Sequence, residues 1–258
     1  MEIAIIGGTG LLGRQVAEEL RARGHAVRVV SRNAPEYRAD LTTGTGLDEA
    51  LAGCDAVVDA SNNSSKSAAA TLVEGTRRLL AAGQRVGIPH HVCVSVVGCE
   101  QIPMGYFQVK AAQERLVTAG ALPWTVVRAT QFHEYLAAMF GAAARYGVLP
   151  APNAPVQPVA SAEVARVVAD AVESAPRRDR VTVAGPEVAR LRDLAVTWRR
   201  AAGSRAVVLP LPLPGALGRA LRGGAATTAH TEDRHGEITF ESWAAQAVAS
   251  PPQDRTRR

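Results

Sequence analysis

Glu2-Ile3-Ala4-Ile5-Ile6-Gly7-Gly8-Thr9-Gly10-Leu11-Leu12-Gly13-Arg14 opens the chain, and its reading decides the fold. A short β-branched run, Glu2–Ile6, leads into closely spaced glycines, and a helical pattern follows from Leu11 to Arg23, closed by Gly24. Gly7, Gly10 and Gly13 make a G-x-x-G-x-x-G frame, and Gly8, Gly10 and Gly13 a G-x-G-x-x-G frame. Between a strand and a helix, one such glycine makes the tight turn and another lets backbone approach a pyrophosphate. The last lets helix pack on strand, so that the helix N-terminus faces the anion. The segment predicts a dinucleotide site built from Gly7, Thr9, Gly10, Leu11, Leu12 and Gly13.

Working outward, strand and helix patterns alternate. Strands are expected at Ala26–Ser31, Tyr37–Asp40, Asp55–Ala60, His91–Val97 and Trp124–Arg128. Helices are expected at 47–52, 67–86 and 106–119. Alternation of this kind implies right-handed crossovers and a parallel sheet covered on both faces, an α/β doubly wound fold. After Thr130 the texture changes: a helix over 132–146, a Pro-rich loop over 149–158, a helix over 161–174 with Ser161 as N-cap, a strand at 179–184, a helix at 188–202, a strand at 206–211 and a closing helix at 240–249. The expected organisation is a Rossmann core over 1–130, a small substrate lobe over 131–250 integral to the same domain, and a flexible tail over 251–258.

The end of the second strand discriminates between the two nicotinamide dinucleotides. An NAD site usually places an acid there to accept from the ribose 2′-OH. This chain has Ser31-Arg32-Asn33 and no acid, and Arg14 follows the last glycine of the turn. Two guanidiniums suit a 2′-phosphate, so the expected cofactor is NADPH/NADP+ rather than NAD. A second constellation joins Ser95, at the end of the fifth strand, to Tyr106-Phe107-Gln108-Val109-Lys110. Spacing of four puts Tyr106 and Lys110 on one helical face. A phenol needs a nearby cation to exchange a proton near neutrality, and a serine hydroxyl can bond a substrate oxygen where charge develops. Lysine is used only at 66 and 110, every other basic residue being arginine, so its retention in this motif is informative.

At these residues the chain resembles the short-chain dehydrogenase/reductase superfamily, in its atypical or extended, NmrA-like NAD(P)-binding branch. The resemblance covers most of the chain and implies further roles. Asp40-Leu41 would contact adenine, and Asp55–Ser61 is similar to the fourth strand running into the loop beside the adenosine ribose, where Ala60, Ser61 and Asn62 would line the cofactor. Val73-Glu74-Gly75-Thr76 is similar to the helical V-x-G-T of extended members. Arg128-Ala129-Thr130-Gln131-Phe132 falls where the family has R-P-x-x-F, beside the nicotinamide. By the same resemblance Tyr106 would be the general acid/base, Lys110 would hold the nicotinamide ribose and lower the tyrosine's pKa, and Ser95 would orient the carbonyl. Two positions depart from the pattern: Leu72 replaces the Asn that precedes V-x-G-T, and Ala129 replaces the proline. Gln131, Phe132 and His133 are the expected substrate contacts.

Composition bounds the rest. The 258 residues are 47% hydrophobic and 21% charged, as in an ordinary soluble globule with a sizeable core. The net charge of +5 is spread over separate arginine pairs, which argues against nucleic acid. No apolar run reaches a membrane-spanning length, and Met1–Gly7 reads as a strand rather than a signal peptide. Cys54, Cys93 and Cys99 lack metal spacing and fit a reducing cytoplasm. His90 and His91 point to opposite strand faces, so no metal site is expected. The partner expected is a small-molecule substrate, the protein acting as a monomer or homodimer. The chemistry expected is hydride transfer to a carbonyl, enone or quinone of a small, fairly apolar substrate. Two alternatives stand beside it: an NADP(H)-sensing regulator without turnover, and a redox-neutral epimerase, dehydratase or cyclase on the same scaffold.

Overall fold

A computed structural model describes residues 1–228, 230 and 233–249. The expected tail at 251–258 lies outside the described residues. In chain order the elements are β1 (Glu2–Ile6), α1 (Leu11–Ala22), β2 (Ala26–Ser31), β3 (Tyr37–Arg38), α2 (Leu47–Leu51) and β4 (Ala56–Asp59). A π-helical turn, Ala70–Glu74, leads into α3 (Gly75–Val86), followed by β5 (His91–Val96), α4 (Gly105–Ala119) and β6 (Trp124–Ala129). Then come α5 (His133–Ala144), β7 (Val148–Ala151), β8 (Pro155–Val156), α6 (Ser161–Glu173), β9 (Arg180–Ala184), β10 (Ala189–Arg190), α7 (Leu191–Ala201), β11 (Val207–Pro210), α8 (Gly215–Arg222) and α9 (Phe240–Ala249). No helix among the described residues is long and apolar enough to cross a membrane.

The described residues form two compact units, Met1–Ala129 with Ser161–Val183, and Thr130–Ala160 with the described residues from Ala184 onward. In the first, the strands run in the order β9-β6-β5-β4-β1-β2-β3. Every pairing in that series is parallel. The order reverses between β1 and β4, the crevice at which open α/β sheets bind ligands at the carboxyl ends of their strands. The central strands are apolar on both faces, as double coverage requires: all of Ala56–Asp59 and His91–Ser95 is buried. One core layer packs Leu47, Leu51, Leu79 and Ile88 against Ala4, Ile6, Val30 and Val57. A second packs Leu80, Val117 and Leu122 against Cys93, Trp124 and Val126.

Residues 161–183, expected in the lobe, belong instead to this first unit. The apolar face of α6 carries Val164, Val168 and Val172 and packs on α1. Arg23, at the end of α1, reaches Asp170 at 2.8 Å and Glu173 at 2.7 Å, and β9 extends the parallel sheet beside β6.

In the second unit β7 pairs in parallel with β11, and β8 pairs antiparallel with β10. Residues 149–158, expected as a loop, therefore contribute short strands, and Gly215–Arg222 adds a helix that the sequence patterns do not predict. An aromatic core joins Phe140 to Trp198 and Phe240 at ring separations of 6.0 and 6.4 Å.

Candidate functional site

The glycine turn is built by contacts that exclude side chains. Gly7 has φ +73°, and its N–H donates to the Val30 carbonyl at 3.0 Å. Gly10 N–H donates back to Gly7 O at 2.8 Å, which closes the turn. A Cβ on Gly13 would lie 2.3 Å from Gly7 O and 2.7 Å from Gly8 Cα, so α1 docks on the turn at backbone contact. The first turn of α1 holds no acidic residue, and its leading N–H groups have no intrahelical acceptor. Together with the helix dipole they make an anion site, to which residues 10–13 would hold a pyrophosphate. Arg14 Nη1 donates to Thr9 O at 2.6 Å, which folds its guanidinium over the turn.

At the adenosine end, Ser31 Oγ accepts the Asn33 N–H at 3.2 Å and Arg32 is exposed. Asp40 Oδ1 accepts both the N–H and the hydroxyl of Thr42, at 2.8 and 2.7 Å. Those bonds hold its carboxyl below the ordinary value, with the charges of Arg32 and Arg78 adding to the effect. Leu41 is buried under Gly75, where a Cβ would stand 2.9 Å from the leucine's own. The glycine of Val73-Glu74-Gly75-Thr76 thus lets α3 press on the residue expected to meet adenine. Leu72, where the family pattern has Asn, is fully buried.

The α4 face carries the expected catalytic pair, Tyr106 and Lys110. Tyr106 Oη donates to Asn62 Oδ1 at 3.0 Å. Lys110 is buried; its Nζ donates to the Val94 carbonyl at 2.7 Å and to Gln113 Oε1. An ammonium has three N–H donors, so these two leave one for a ligand. Gln113 Nε2 donates to Asp59 Oδ2 and to Thr76 Oγ1, each at 3.0 Å, and Asp59 Oδ1 accepts the Ser61 N–H at 3.0 Å. A Cβ on Gly7 would meet Ala60 O at 2.9 Å and Ser61 N at 3.0 Å. Residues 60–62 therefore wall the glycine turn on one side and meet Tyr106 on the other. Asp59 and Thr76 enter the sequence analysis only as members of family motifs, without a site role, and Gln113 does not enter it. The available signal was polarity: Lys110, Gln113 and Glu114 fall on one helix face that a parallel sheet must bury.

Ser95 sits on β5 opposite Arg128 on β6 and is buried. Its hydroxyl lies near the Glu114 carboxylate without a well-formed hydrogen bond. Glu114 receives Arg128 Nη2 at 2.6 Å and Nε at 2.9 Å, Arg180 Nε at 3.1 Å and the Cys99 thiol at 3.4 Å. Burial alone would raise the Glu114 carboxyl, but Arg128, Ser95 and Arg180 hold it below the ordinary glutamate range. Burial pushes the Cys99 thiol up to about 11. Glu114→Gln should cost about 2–3 kcal/mol in urea denaturation, less than the usual cost of about 3–5 kcal/mol for breaking a buried pair because both arginines retain some solvent contact. A carboxyl depressed in the folded state adds stability above its unfolded pKa and loses it as pH falls through the folded value. The two proteins should therefore differ fully at neutral pH and converge only in strong acid. A constant gap down to the acid transition would count against this account.

Alternation separates His90 from His91 but returns Cys93 to the His91 face, and Asp59 lies beside them on β4. The ligand atoms of Asp59, His91 and Cys93 fall within 4.8 Å of one another, all fully buried. Burial lowers His91 and raises Cys93, which keeps both neutral, and the oxygens of Asp59 already serve Ser61, Gln113 and Thr76. His90 Nε2 lies 2.9 Å from Thr125 Oγ1, and burial with the adjacent His91 pushes it down to about 4.

Ala129 ends β6 and its carbonyl accepts the Val97 N–H at 2.9 Å. The remaining expected contacts lie in the second unit. Thr130 is buried, and Gln131 O accepts the Val159 N–H at 2.9 Å, with Phe132 bridging to Val159. His133, expected to meet substrate, is fully buried instead. Its Nε2 donates to the Ile238 carbonyl at 2.9 Å, and its ring packs 5.5 Å from Phe240 and 5.6 Å from Trp243. Those partners stand more than a hundred residues on in the chain, so the aromatic packing was invisible locally.

A family model described as NAD(P)H-binding matches residues 7–175. The photosystem II assembly factor Ycf39 of Trieres chinensis is 32% identical over 154 residues, 53% of this chain and 47% of that protein. The chain spans about half the length of the curated relatives it matches. Among solved structures, Citrobacter sp. triphenylmethane reductase complexed with NADP(H) superposes with a TM-score of 0.77 at 17% identity, covering 96% of this chain and 100% of that one. The NADPH-dependent quinone oxidoreductase QOR2 of Escherichia coli, complexed with NADPH, gives 0.71 at 19%, covering 95% and 99%. At such identities the shared property is the fold.

Proposed function

The chain belongs to the NAD(P)H-binding family, and on that premise we propose that it is an NADPH-dependent reductase of a small, fairly apolar carbonyl, enone or quinone. The observation that carries this reading is the placement of the Tyr106 phenol. It bonds Asn62, and the segment holding Asn62 also walls the Gly7 turn. A proton donor thus stands one residue from the dinucleotide's expected seat, on the same helical face as Lys110.

Bound NADPH supplies a hydride to the substrate carbon. The chain's own part begins with α1, whose N-terminal N–H groups hold the pyrophosphate, while Arg32, supported by Arg14, pairs with the 2′-phosphate. Asn62 Oδ1 fixes the rotation of the phenol. As the C=O or conjugated double bond gives up its electron pair to oxygen, Tyr106 Oη transfers its proton there and is reprotonated from solvent after turnover. Lys110 presents its remaining N–H to the nicotinamide ribose and its positive charge to the nascent phenolate. The partner is a small molecule, with no part for nucleic acid or membrane, and the protein works as a monomer or homodimer.

A second reading is favoured by the curated relatives, which are named as assembly factors: a dinucleotide-responsive protein that turns nothing over. Purified protein mixed with NADPH and a panel of quinones, enones and ketones separates the two by loss of nicotinamide absorbance. Tight NADPH binding with no turnover across the panel would favour the regulator. In the same preparation Arg32→Ala should weaken NADPH by about 10–100-fold, the worth of one charge-assisted bond, and leave NADH nearly unchanged. Equal weakening of both would remove the 2′-phosphate contact.

A further inference from the structure

Tyr106, Lys110 and Gln113 lie on one face of α4, and the hydrogen bonds they make close a ring. Tyr106 donates to Asn62, the adjacent Ser61 N–H donates to Asp59, Asp59 accepts from Gln113, and Gln113 accepts from Lys110. Gln113 is completely buried and is the one neutral link between a buried cation and a buried anion. A primary amide suits this part, because it accepts from an ammonium at one atom and donates to a carboxylate at the other without changing its charge. Its second N–H, taken by Thr76 Oγ1 at 3.0 Å, fixes which atom is which. With Gln113 in place, one Asp59 oxygen is saturated by Gln113 and Thr76, so the other is left to hold the Ser61 N–H.

We infer that Gln113 is a positioning residue of the dinucleotide site: through Asp59 it sets residues 60–62 against the glycine turn and presents Asn62 to Tyr106. The inference rests on the reading of this site as a dinucleotide site. Gln113 itself touches neither the turn nor the phenol. Its effect runs through a buried carboxylate whose alternative, an unbridged Asp59–Lys110 pair, leaves one charge short of a partner. The titratable groups around the amide are Asp59 from β4, His91 and Cys93 from β5, and Lys110 and Glu114 from α4 itself.

The test uses two substitutions and two readouts on the full chain. Gln113→Leu removes both ends of the bridge. Gln113→Glu keeps the acceptor for Lys110 but turns the donor toward Asp59 into a second carboxylate, and two carboxylates sharing a site bind one proton more tightly. Protonated, the new side chain donates to Asp59 as the amide does. NADPH affinity of Gln113→Glu should therefore approach that of the wild type at about pH 5.5 and fall at least about tenfold below it at about pH 8. The wild-type ratio between those conditions sets the reference. Amide hydrogen exchange needs no cofactor: in Gln113→Leu, protection should drop at Ser61 and Asn62 while the amides of β1 and β5 keep theirs. Unchanged exchange at Ser61, or a loss spread evenly over the sheet, overturns the positioning role. So does a Gln113→Glu affinity profile parallel to the wild type. If wild-type protein binds no dinucleotide, the cofactor reading fails and the exchange result alone decides on Gln113.

Discussion

Gly13→Ala is expected to abolish measurable dinucleotide binding, a loss of at least about 100-fold. The added methyl carbon would stand 2.3 Å from Gly7 O and 2.7 Å from Gly8 Cα, distances at which something must move. Neither neighbour can yield. Gly7 already occupies the left-handed region at φ +73° and is tied to Val30, and Gly10 is tied to Gly7. Helix α1 must therefore lift off the turn by about an ångström, and a misplacement of that size costs about two orders of magnitude where several N–H groups have to converge on one anion. Overpacking adds about 1–3 kcal/mol of destabilisation, which thermal unfolding will register. Gly24→Ala is the control. That residue ends the same helix at φ +86° with nothing within 4 Å of the added carbon, so it should lose some stability and keep its NADPH affinity. Titration calorimetry with NADPH on both variants decides the matter. A Gly13→Ala protein within threefold of the wild type would remove the glycine turn from the binding site.

That the turn can be read from thirteen consecutive residues explains why so much of the first unit was legible. A strand, a glycine spacing and a helix pattern are local, and steric exclusion by backbone leaves few sequences that satisfy them. The same holds for Tyr106 and Lys110, whose spacing alone places them on one face. What stayed hidden depends on partners distant in the chain. The return of 161–183 to the first unit follows from Arg23 meeting Asp170 and Glu173 and from β9 pairing with β6. Strands β7 and β8 are too short to show a period, and they exist because β11 and β10 supply their ladders. Helix α8 lay unread at the edge of the Pro-rich stretch 209–215. His133 reads as a pocket histidine until Phe240 and Trp243 are placed around it.

The buried polar groups teach the same lesson in another form. Asp59, at the end of an apolar strand, looks like a residue beside the cofactor, as the family resemblance suggests for its neighbours. Its carboxylate is in fact turned into the layer between β4 and α4, where Thr76 and Gln113 satisfy it. A charge can lie there because its partners come from two helices, and no window of sequence contains all three. Lys110 is likewise committed inward by two of its three donors. The face of α4 thus does two jobs, holding the sheet together through Lys110 and Gln113 and offering the Tyr106 phenol at its first turn.

Tyr106→Phe separates those jobs, because it removes only the hydroxyl. Lys110, Gln113 and Asp59 keep their bonds, and the ring of phenylalanine fills the same volume, so the fold should lose no more than about 1 kcal/mol for the bond to Asn62. NADPH affinity should stay within about twofold, since the phenol contributes nothing to the pyrophosphate or 2′-phosphate contacts. With the substrate that the panel identifies, kcat should fall by about 10²–10⁴-fold, the usual worth of a positioned general acid, while KM changes little. A kcat loss of that kind with intact binding is the signature of a group used in the transition state rather than in the ground state. Asn62→Ala supplies the complementary case: the hydroxyl remains but its rotation is no longer fixed, so kcat should fall by a smaller factor, about tenfold, which corresponds to one hydrogen bond. Turnover by Tyr106→Phe within threefold of the wild type would mean that the proton comes from elsewhere. The reductase reading would then have to find another acid.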